Sequence, residues 1–208
     1  MHRLRLLRRR ALAFVACILA VGLAHAAPVR TDHVNAELVA DRAALVPGTT
    51  TTLALRLDID RGWHTYWRNP GESGLPTTLA WKLPAGYQAG DIEWPAPKAL
   101  PAGPLVNYGY EGVVLHLVPL RVPADAAVGQ NVTLAARADW LVCRETCVPE
   151  GADLTLVLPV AGDAVPSKWH DAIAATQAAL PKPLPGSWKT SAVAKGSRIA
   201  LTLTPPRR

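Results

Sequence analysis

Two cysteines separated by three residues, Cys143 and Cys147, are the side chains in this sequence best suited to chemistry. Thiolates attack disulfides and bind soft metal ions such as Cu(I), so the C-x3-C spacing allows thiol–disulfide exchange, a structural disulfide or copper binding. In a straight strand, residues four apart are separated by about 13 Å at about 3.3 Å per residue, whereas a disulfide needs Cα atoms within about 7 Å. We therefore expect the two cysteines to flank a tight turn or to lie on a helical turn.

The short loop that such a disulfide would close bears on the choice among these functions. The loop-entropy relation gives about 2 kcal/mol for a loop of five residues and about 4 kcal/mol for one of sixty, so this pair would brace a domain weakly. A strained bond in an exposed loop opens readily, which favours redox exchange over a permanent structural disulfide. Copper binding by Cys143 and Cys147 stays open as an alternative. No other metal site is expected, because the histidines show no ligand spacing with the cysteines.

The elements that must position this pair are strands, because apolar residues alternate with polar ones along several segments. The pattern predicts strands at residues 34–40, 51–59, 113–122, 131–142 and 153–159. Turn residues such as Pro47-Gly48 and Asn69-Pro70-Gly71 separate the segments. Many short strands between such turns predict an all-β fold, an immunoglobulin-like β-sandwich. A turn between residues 142 and 153 would carry the cysteines.

The segment after residue 165 departs from the strand pattern. Residues 166–186 predict one short helix, which Ser167 would cap and Pro181 would end, followed by a proline-rich linker. Residues 187–208 predict two further strands, which cannot form a stable domain alone. We therefore expect a main domain over residues 27–165. The C-terminal strands would form either a hairpin on that domain or the start of a truncated second domain.

Residues 1–26 have the three parts of a secretory signal peptide. Five arginines lie in the first ten residues, residues 11–23 form an apolar run, and Ala24-His25-Ala26 is a small-x-small cleavage site. We expect cleavage after Ala26 and export to a bacterial periplasm, where the two remaining cysteines can oxidise; an uncleaved anchor is the alternative. Without this segment 17 basic and 16 acidic side chains remain, so the net charge falls from +6 to +1. A nearly neutral domain argues against a nucleic-acid partner.

Three segments of the sequence carry a resemblance to a known family. They are residues 62–71 (GWHTYWRNPG) with Ser73-Gly74-Leu75-Pro76, residues 106–112 (VNYGYEG) and residues 138–150 (ADWLVCRETCVPE). Together they resemble the N-terminal periplasmic domain of the DsbD family of protein-disulfide reductases, most closely its ScsB-like branch, which is associated with copper tolerance. The resemblance covers about residues 30–160 and implies an immunoglobulin-like sandwich with a redox-active cysteine pair.

The resemblance also implies how such a domain works. Cys143 and Cys147 would be the exchanging pair. They would receive electrons from a membrane-embedded DsbD-type donor and pass them to periplasmic thioredoxin-like disulfide isomerases or reductases, or to cytochrome-maturation proteins. No organic cofactor is expected. The order of the two cysteines does not settle which of them attacks first.

Further residues take expected roles from the resemblance. In the family a cap loop bearing an aromatic residue shields the cysteines, and Asn107-Tyr108-Gly109 falls where that loop should lie. Tyr108 is therefore the expected shield, with Tyr110 as the second candidate. Charged residues beside the cysteines or the proposed loops are expected to tune the thiol pKa: Arg144, Glu145, Glu111 and Glu150.

The sequence departs from the family pattern in two respects. The cysteine spacing is shorter than in the best-known DsbD domains, and the membrane and thioredoxin-like domains of full-length members are absent. We therefore expect a truncated product, a fragment or a stand-alone relative, and full reductase activity would need those domains. Trp63, Tyr66 and Trp67 are expected to pack in the sandwich core, with a partner-binding platform as the alternative.

Overall fold

The structure, a computed structural model, describes residues 27–206, so the predicted signal peptide lies outside the described residues. Within this range the chain forms thirteen strands and one helix. The strands are β1 (Val29–Arg30), β2 (Val34–Ala40), β3 (Thr50–Ile59), β4 (Thr65–Gly71), β5 (Thr78–Lys82), β6 (Gln88–Ala89), β7 (Lys98–Ala102), β8 (Leu105–Tyr110), β9 (Val113–Arg121), β10 (Asn131–Cys143), β11 (Cys147–Pro159), β12 (Lys189–Lys195) and β13 (Arg198–Thr204). The helix, α1, spans His170–Ala178.

The strands form an immunoglobulin-like β-sandwich, which confirms the predicted fold class. One sheet has the order β1-β2-β3-β9-β6, and the facing strands have the order β11-β10-β5. A further sheet with the order β4-β8-β7 lies beside them, and neighbouring strands in all of these sheets run antiparallel. The core lies between β2, β3 and β9 on one side and β10 and β11 on the other.

Alternation of apolar side chains explains why these segments form strands. On β3, Leu53, Leu55 and Leu57 are fully buried, and full burial of such a side chain contributes about 1.5–3 kcal/mol. On β10, the alternating apolar residues from Leu134 to Val142 are buried in the same way. The period of two in the sequence therefore marks the core-facing side of each strand.

Strands β10 and β11 form one long hairpin. Their register runs without a break from Asn131 paired with Pro159 to Cys143 paired with Cys147. The second strand is longer than its predicted range of 153–159, because residues 147–152 continue the ladder. The hairpin thus carries the cysteine pair to one end of the sandwich.

The helix lies where the sequence predicts a helix. Ile173 of α1 is buried in an apolar cluster with Val39, Leu115 and Leu117 on the outer side of the β2-β3-β9 sheet. Ser167 is not the N-cap residue of the helix, because α1 begins later, with Trp169 as its N-cap and no side-chain bond from that cap. The Ser167 hydroxyl accepts from the backbone N–H of Trp169 at 2.9 Å, in the turn that precedes the helix, and donates to the carbonyl of Ala40 at 2.5 Å, which fastens this turn to β2.

The last two strands form a separate sheet. Strands β12 and β13 pair with each other, and their residues are exposed. The assignment of residues 187–208 to a second domain stays a prediction. Across residues 27–206 no helix has the length and apolar character required to cross a bilayer.

Candidate disulfide site

The two cysteines are joined at the tip of the β10–β11 hairpin. Cys143 is the last residue of β10 and Cys147 the first of β11, their sulfurs form a disulfide, and their Cα atoms are 4.1 Å apart. The three-residue loop between them is closed by a hydrogen bond from the backbone N–H of Arg144 to the carbonyl of Thr146. The prediction that the pair flanks a tight turn is confirmed.

The two cysteines differ sharply in their environment. Cys143 is 2% exposed, and its backbone N–H and C=O both bond to His64, each at 2.9 Å. Cys147 is exposed, and it begins β11, which is an edge strand of its sheet. An incoming thiol therefore reaches Cys147 far more easily than it reaches Cys143.

Tyr66 provides the polar contact to the disulfide. Its hydroxyl donates to Cys143 Sγ at 2.9 Å and lies 3.6 Å from Cys147 Sγ. The ring is 1% exposed, which confirms the core packing predicted for this residue. Burial raises the pKa of Tyr66, while a hydrogen bond with Ser73 lowers it, so the phenol stays a protonated donor at neutral pH.

His64 completes this cluster beside the Tyr66 hydroxyl. Its Nε2 lies 3.3 Å from the Tyr66 hydroxyl, and the two rings meet edge to face with centroids 5.1 Å apart. Burial lowers the pKa of His64, and the charge of Glu111 opposes that shift by raising it. The imidazole is therefore neutral at pH 7.

A loop tied to β8 covers the Tyr66 ring. A Cβ atom on Gly74, where φ is +97°, would fall 2.3 Å from a ring carbon of Tyr66, so this loop runs directly against the ring. Asn107, buried at 2%, accepts hydrogen bonds from the backbone N–H and the hydroxyl of Ser73, both at 3.1 Å. The Glu72 carboxylate accepts from the N–H of Val106 at 2.9 Å. Asn107 of the predicted cap segment thus anchors the covering loop.

The two aromatic residues predicted as shields lie at different depths. Tyr108 is 40% exposed, and its ring lies against Gly71. Tyr110 is buried in the main core, and its hydroxyl donates to the carbonyl of Pro95 at 2.8 Å. Within residues 27–206 the hydrogen bonds to the sulfurs come from Tyr66 rather than from either of these residues. The shielding role of Tyr108 stays a prediction.

The sequence analysis missed the functional contact of Tyr66. A single sequence carries a weak signal for it: a buried tyrosine needs a hydrogen-bond partner for its hydroxyl. What places the hydroxyl on Cys143 is the pairing of His64 with Cys143, a bridge between distant segments. No local pattern reports such pairing.

A chain of contacts leads from the cysteine loop into the sandwich. The Arg144 guanidinium carbon lies 5.2 Å from the centre of the Trp63 ring, and the His33 ring lies 3.7 Å from it. Glu150 accepts from His33 Nδ1 at 2.6 Å and from the His33 backbone N–H at 3.1 Å, as well as from the hydroxyl of Thr31. Trp63 thus lies between the Arg144 guanidinium and the His33 ring, which Glu150 holds in place.

The four residues predicted to tune the thiols are dispersed around the pair. Arg144 and Glu145 lie in the loop itself and are exposed. Glu150 is engaged with His33, and its side chain is 5% exposed. Glu111 is exposed and lies 3.5 Å from the Lys98 ammonium. Their effect on the thiol pKa stays a prediction.

The described residues offer no group of three or more histidine, cysteine, aspartate or glutamate side chains arranged to hold a metal ion. Copper binding therefore stays an alternative function in which the two thiolates of a reduced Cys143–Cys147 pair would be the only ligands from the described residues.

Comparison with known proteins shows which family this chain belongs to. The immunoglobulin-like sandwich with a disulfide at a hairpin tip, taken with the family match that follows, indicates a thiol–disulfide exchange domain. The profile of the family described as "Thiol:disulfide interchange protein DsbD, N-terminal" matches residues 35–159, more than half of the chain. The chain belongs to this family, so the resemblance predicted from the sequence is confirmed.

Solved structures extend the comparison. The N-terminal periplasmic domain of ScsB from Proteus mirabilis matches with a TM-score of 0.61 at 19% identity, over 86% of this chain and 68% of that chain, which shows a shared fold. A yeast GGA1 GAE domain also matches, at 13% identity over 65% of this chain and 97% of that one, but its TM-score of 0.35 supports no argument. No curated protein matches the chain.

Proposed function

We propose that this chain is a periplasmic domain whose Cys143–Cys147 pair passes electrons from a membrane-embedded DsbD-type donor to the disulfides of periplasmic partner proteins. The observation that carries the proposal is the asymmetry of the pair. Cys147 is exposed at the hairpin tip, whereas Cys143 is buried with the Tyr66 hydroxyl on its sulfur. Exchange needs one sulfur that a partner can reach and a second that can leave or resolve.

The forward reaction follows from this geometry. In the reduced domain the Cys147 thiolate attacks one sulfur of the partner disulfide, that S–S bond breaks, and the partner's other sulfur leaves as a thiolate. The Cys143 thiolate then attacks Cys147 in the mixed disulfide. The Cys143–Cys147 bond forms and the partner's second thiolate departs, so two electrons have passed to the partner.

Re-reduction uses the same two sulfurs in reverse. A thiolate of the donor attacks the exposed Cys147, and Cys143 leaves with the electron pair of the broken bond. The donor's second thiolate then attacks the donor sulfur of this mixed disulfide, so Cys147 leaves as a thiolate and the donor becomes a disulfide. The Tyr66 hydroxyl, already aimed at Cys143 Sγ, donates to the thiolate that forms there. Because the phenol is buried and neutral, this donor costs little reorganisation.

The proposed location and partners rest on two supports. Residues 1–26 have the composition of a signal peptide, and the related ScsB domain is described as periplasmic. The donor and acceptors are thiol–disulfide proteins of the kinds that the DsbD family implies. Thioredoxin-like acceptors, with a disulfide near their surface, fit a site whose reactive sulfur lies at the tip of a hairpin.

The reduction potential of the pair tests the proposal. The chain is equilibrated with thiol buffers, alkylated and analysed by mass spectrometry. We expect a value between about −270 and −120 mV, the range of known exchangers. A value below about −300 mV would instead identify a structural disulfide. Cu(I) binding that competes with thiols, together with no exchange activity, would identify a copper-handling protein.

Trapping distinguishes the roles of the two sulfurs. Cys143→Ser leaves the exposed Cys147, and we expect it to accumulate mixed disulfides with partners because the resolving sulfur is gone. Cys147→Ser is the matched control, since it retains the buried Cys143, and it should trap far less. Equal trapping by both variants would contradict the assigned order of attack.

A further inference from the structure

Arg144 lies beside the disulfide with its guanidinium over an aromatic ring. It lies in the loop between the two cysteines and is exposed, and its guanidinium carbon is 5.2 Å from the centre of the Trp63 ring. Several arginines of the chain pair with an aspartate, namely Arg30, Arg42, Arg56 and Arg137. Arg144 makes no ion pair with any residue in the range 27–206. Its guanidinium N–H groups therefore have no acceptor among these residues and are open to a group from outside the domain.

Trp63, the surface beneath Arg144, is held in place from inside the domain. The His33 ring lies 3.7 Å from the indole, and His33 is fixed by Glu150 through its ring Nδ1 and its backbone N–H. The Thr31 hydroxyl also donates to this carboxylate, whose side chain is only 5% exposed. A buried carboxylate with three donors has little freedom, so the indole and the guanidinium above it are positioned before a partner arrives.

The backbone beside Trp63 leaves room for the arginine. Gly62 has a φ of +82°, and a Cβ atom there would lie 3.6 Å from Arg144 Cδ, an ordinary contact. The aliphatic stem of Arg144 thus runs along this glycine. A stacked guanidinium retains the planar fork of donors that matches a carboxylate with two hydrogen bonds.

Arg144 is the one positively charged side chain in the loop between the two cysteines, and the Trp63 ring positions it. Glu145 follows it, is exposed, and makes no side-chain hydrogen bond or ion pair within residues 27–206. Arg61, two residues before Trp63, adds a second positive charge to the same turn. Glu111, the acidic group on the far side of His64, lies beside Lys98.

We propose that Arg144, stacked on Trp63, binds a carboxylate of the partner protein during exchange at Cys147. The inference rests on the proposed exchange function and names the partner's chemistry: an aspartate or glutamate beside the reactive cysteine of the partner. Arg144 directly follows Cys143 and lies in the short loop that the Cys143–Cys147 disulfide closes, so its side chain is close to both sulfurs in the sequence. A carboxylate on this guanidinium would therefore place the partner's sulfur beside the exposed Cys147.

Three synthetic peptide disulfides test the assignment. They are identical except for a Glu, Gln or Lys next to the cysteine, and the measured quantity is the second-order rate constant of their reduction by the reduced full chain. We expect the wild type to reduce the Glu peptide about tenfold faster than the Gln peptide, because a charge-assisted pair is stronger than a neutral one. In Arg144→Gln the Glu-to-Gln rate ratio should fall to about one, and Arg144→Lys should give an intermediate ratio.

A matched control removes the same charge elsewhere. Arg121 is exposed at the end of β9, where it pairs with Thr50 at the start of β3, so it lies at the opposite end of the sandwich from the turn that follows β3. Arg121→Gln should keep the wild-type ratio. The ratio should also decrease as salt is added, since exposed charges are screened.

The possible outcomes separate the assignment from the proposed function. A wild type that reduces all three peptides with a ratio near one would overturn the role of Arg144 and leave exchange intact. An equal loss of rate for all three peptides in Arg144→Gln, with the ratio kept, would also overturn it, because Arg144 would then act on the thiol pKa. A wild type that reduces none of the peptides would overturn the exchange function and this inference with it.

The platform itself supplies a second test. Trp63→Phe keeps a ring beneath the guanidinium, and Trp63→Leu removes it. We expect the Glu-to-Gln ratio to be largely retained in the first variant and reduced in the second. Equal ratios in both variants would show that the ring does not position Arg144. If Trp63→Leu does not fold, His33→Gln replaces it, because this substitution removes the ring contact to the indole while leaving Trp63 in place.

Discussion

The hydroxyl of Tyr66 is the group whose removal tests the site most directly. Tyr66→Phe deletes one oxygen, the donor that lies 2.9 Å from Cys143 Sγ, and keeps the ring that packs against Gly74. In the oxidised domain this bond is to a disulfide sulfur, a weak acceptor, whereas in the reduced domain it is to a thiol or thiolate. The substitution should therefore affect the reduced state more than the oxidised one.

The expected size follows from the strength of a hydrogen bond to a charged group, about 1.5–3 kcal/mol. Tyr66 is 1% exposed, so water does not replace the lost donor. At about 1.4 kcal/mol per pKa unit, the pKa of the Cys143 thiol should rise by about one to two units. Where Cys143 is a thiolate the reduced state is destabilised, so the reduction potential should become more negative by about 30–60 mV, since about 30 mV corresponds to 1.4 kcal/mol for a two-electron couple.

Two assays check this prediction. The potential is measured by equilibration with thiol buffers, and the pKa of Cys143 by the pH dependence of its alkylation in a Cys147→Ser background. Tyr87→Phe is the matched control, because Tyr87 is a partly buried tyrosine that precedes β6, at the Arg121 end of β9. An unchanged potential and an unchanged pKa in Tyr66→Phe would refute the view that this hydroxyl stabilises Cys143.

Three further predictions concern the cover of the site and the core. Gly74→Ala should destabilise the fold by about 1–3 kcal/mol more than Gly129→Ala in urea unfolding, because both glycines have positive φ but only Gly74 meets the Tyr66 ring; equal losses would contradict the contact. Tyr108→Ala should speed the reaction of the reduced pair with small oxidants, and an unchanged rate would remove Tyr108 as the shield. His116 is fully buried without a hydrogen-bond partner in the described chain, and burial lowers its pKa to about 3. Below pH about 6.5 this histidine is protonated in the unfolded chain but stays neutral in the folded chain, so the free energy of unfolding is highest above that pH. It falls toward pH 3 by up to about 1.4 kcal/mol per unit, and His116→Leu should flatten this dependence in unfolding curves.

The fold was predictable from the sequence where one physical rule decides the outcome. Alternating apolar residues on β3 and β10 face the core, and the periodicity alone identifies them. The rule failed at the start of β11, where Pro149, Glu150 and Gly151 have the composition of a turn. They continue the ladder because β11 is an edge strand, and an edge strand tolerates a proline that cannot donate on its open side.

The site was predictable only in its covalent part. The spacing of Cys143 and Cys147 requires a turn, and the turn is there. The contacts that give each sulfur its role come from segments distant in the chain, as with Tyr66, which lies 77 residues before Cys143. The same holds for Ser167, whose hydroxyl joins the turn before α1 to the carbonyl of Ala40, 127 residues earlier in the chain. Such pairings depend on the register of whole sheets, which a local pattern does not contain.

The topology of the sandwich supports the different roles proposed for the two sulfurs. Cys143 ends β10, a strand bonded to β11 on one side and, at this residue, to His64 on the other. Cys147 begins β11, which forms its ladder on one side. In the proposed exchange, we therefore expect the Cys143 sulfur to stay against the Tyr66 hydroxyl when the disulfide opens, while the Cys147 sulfur turns toward the partner. Because β10 is hydrogen-bonded on both sides at Cys143 and β11 on one side only, the hairpin tip gives two cysteines that are separated by three residues different backbone support.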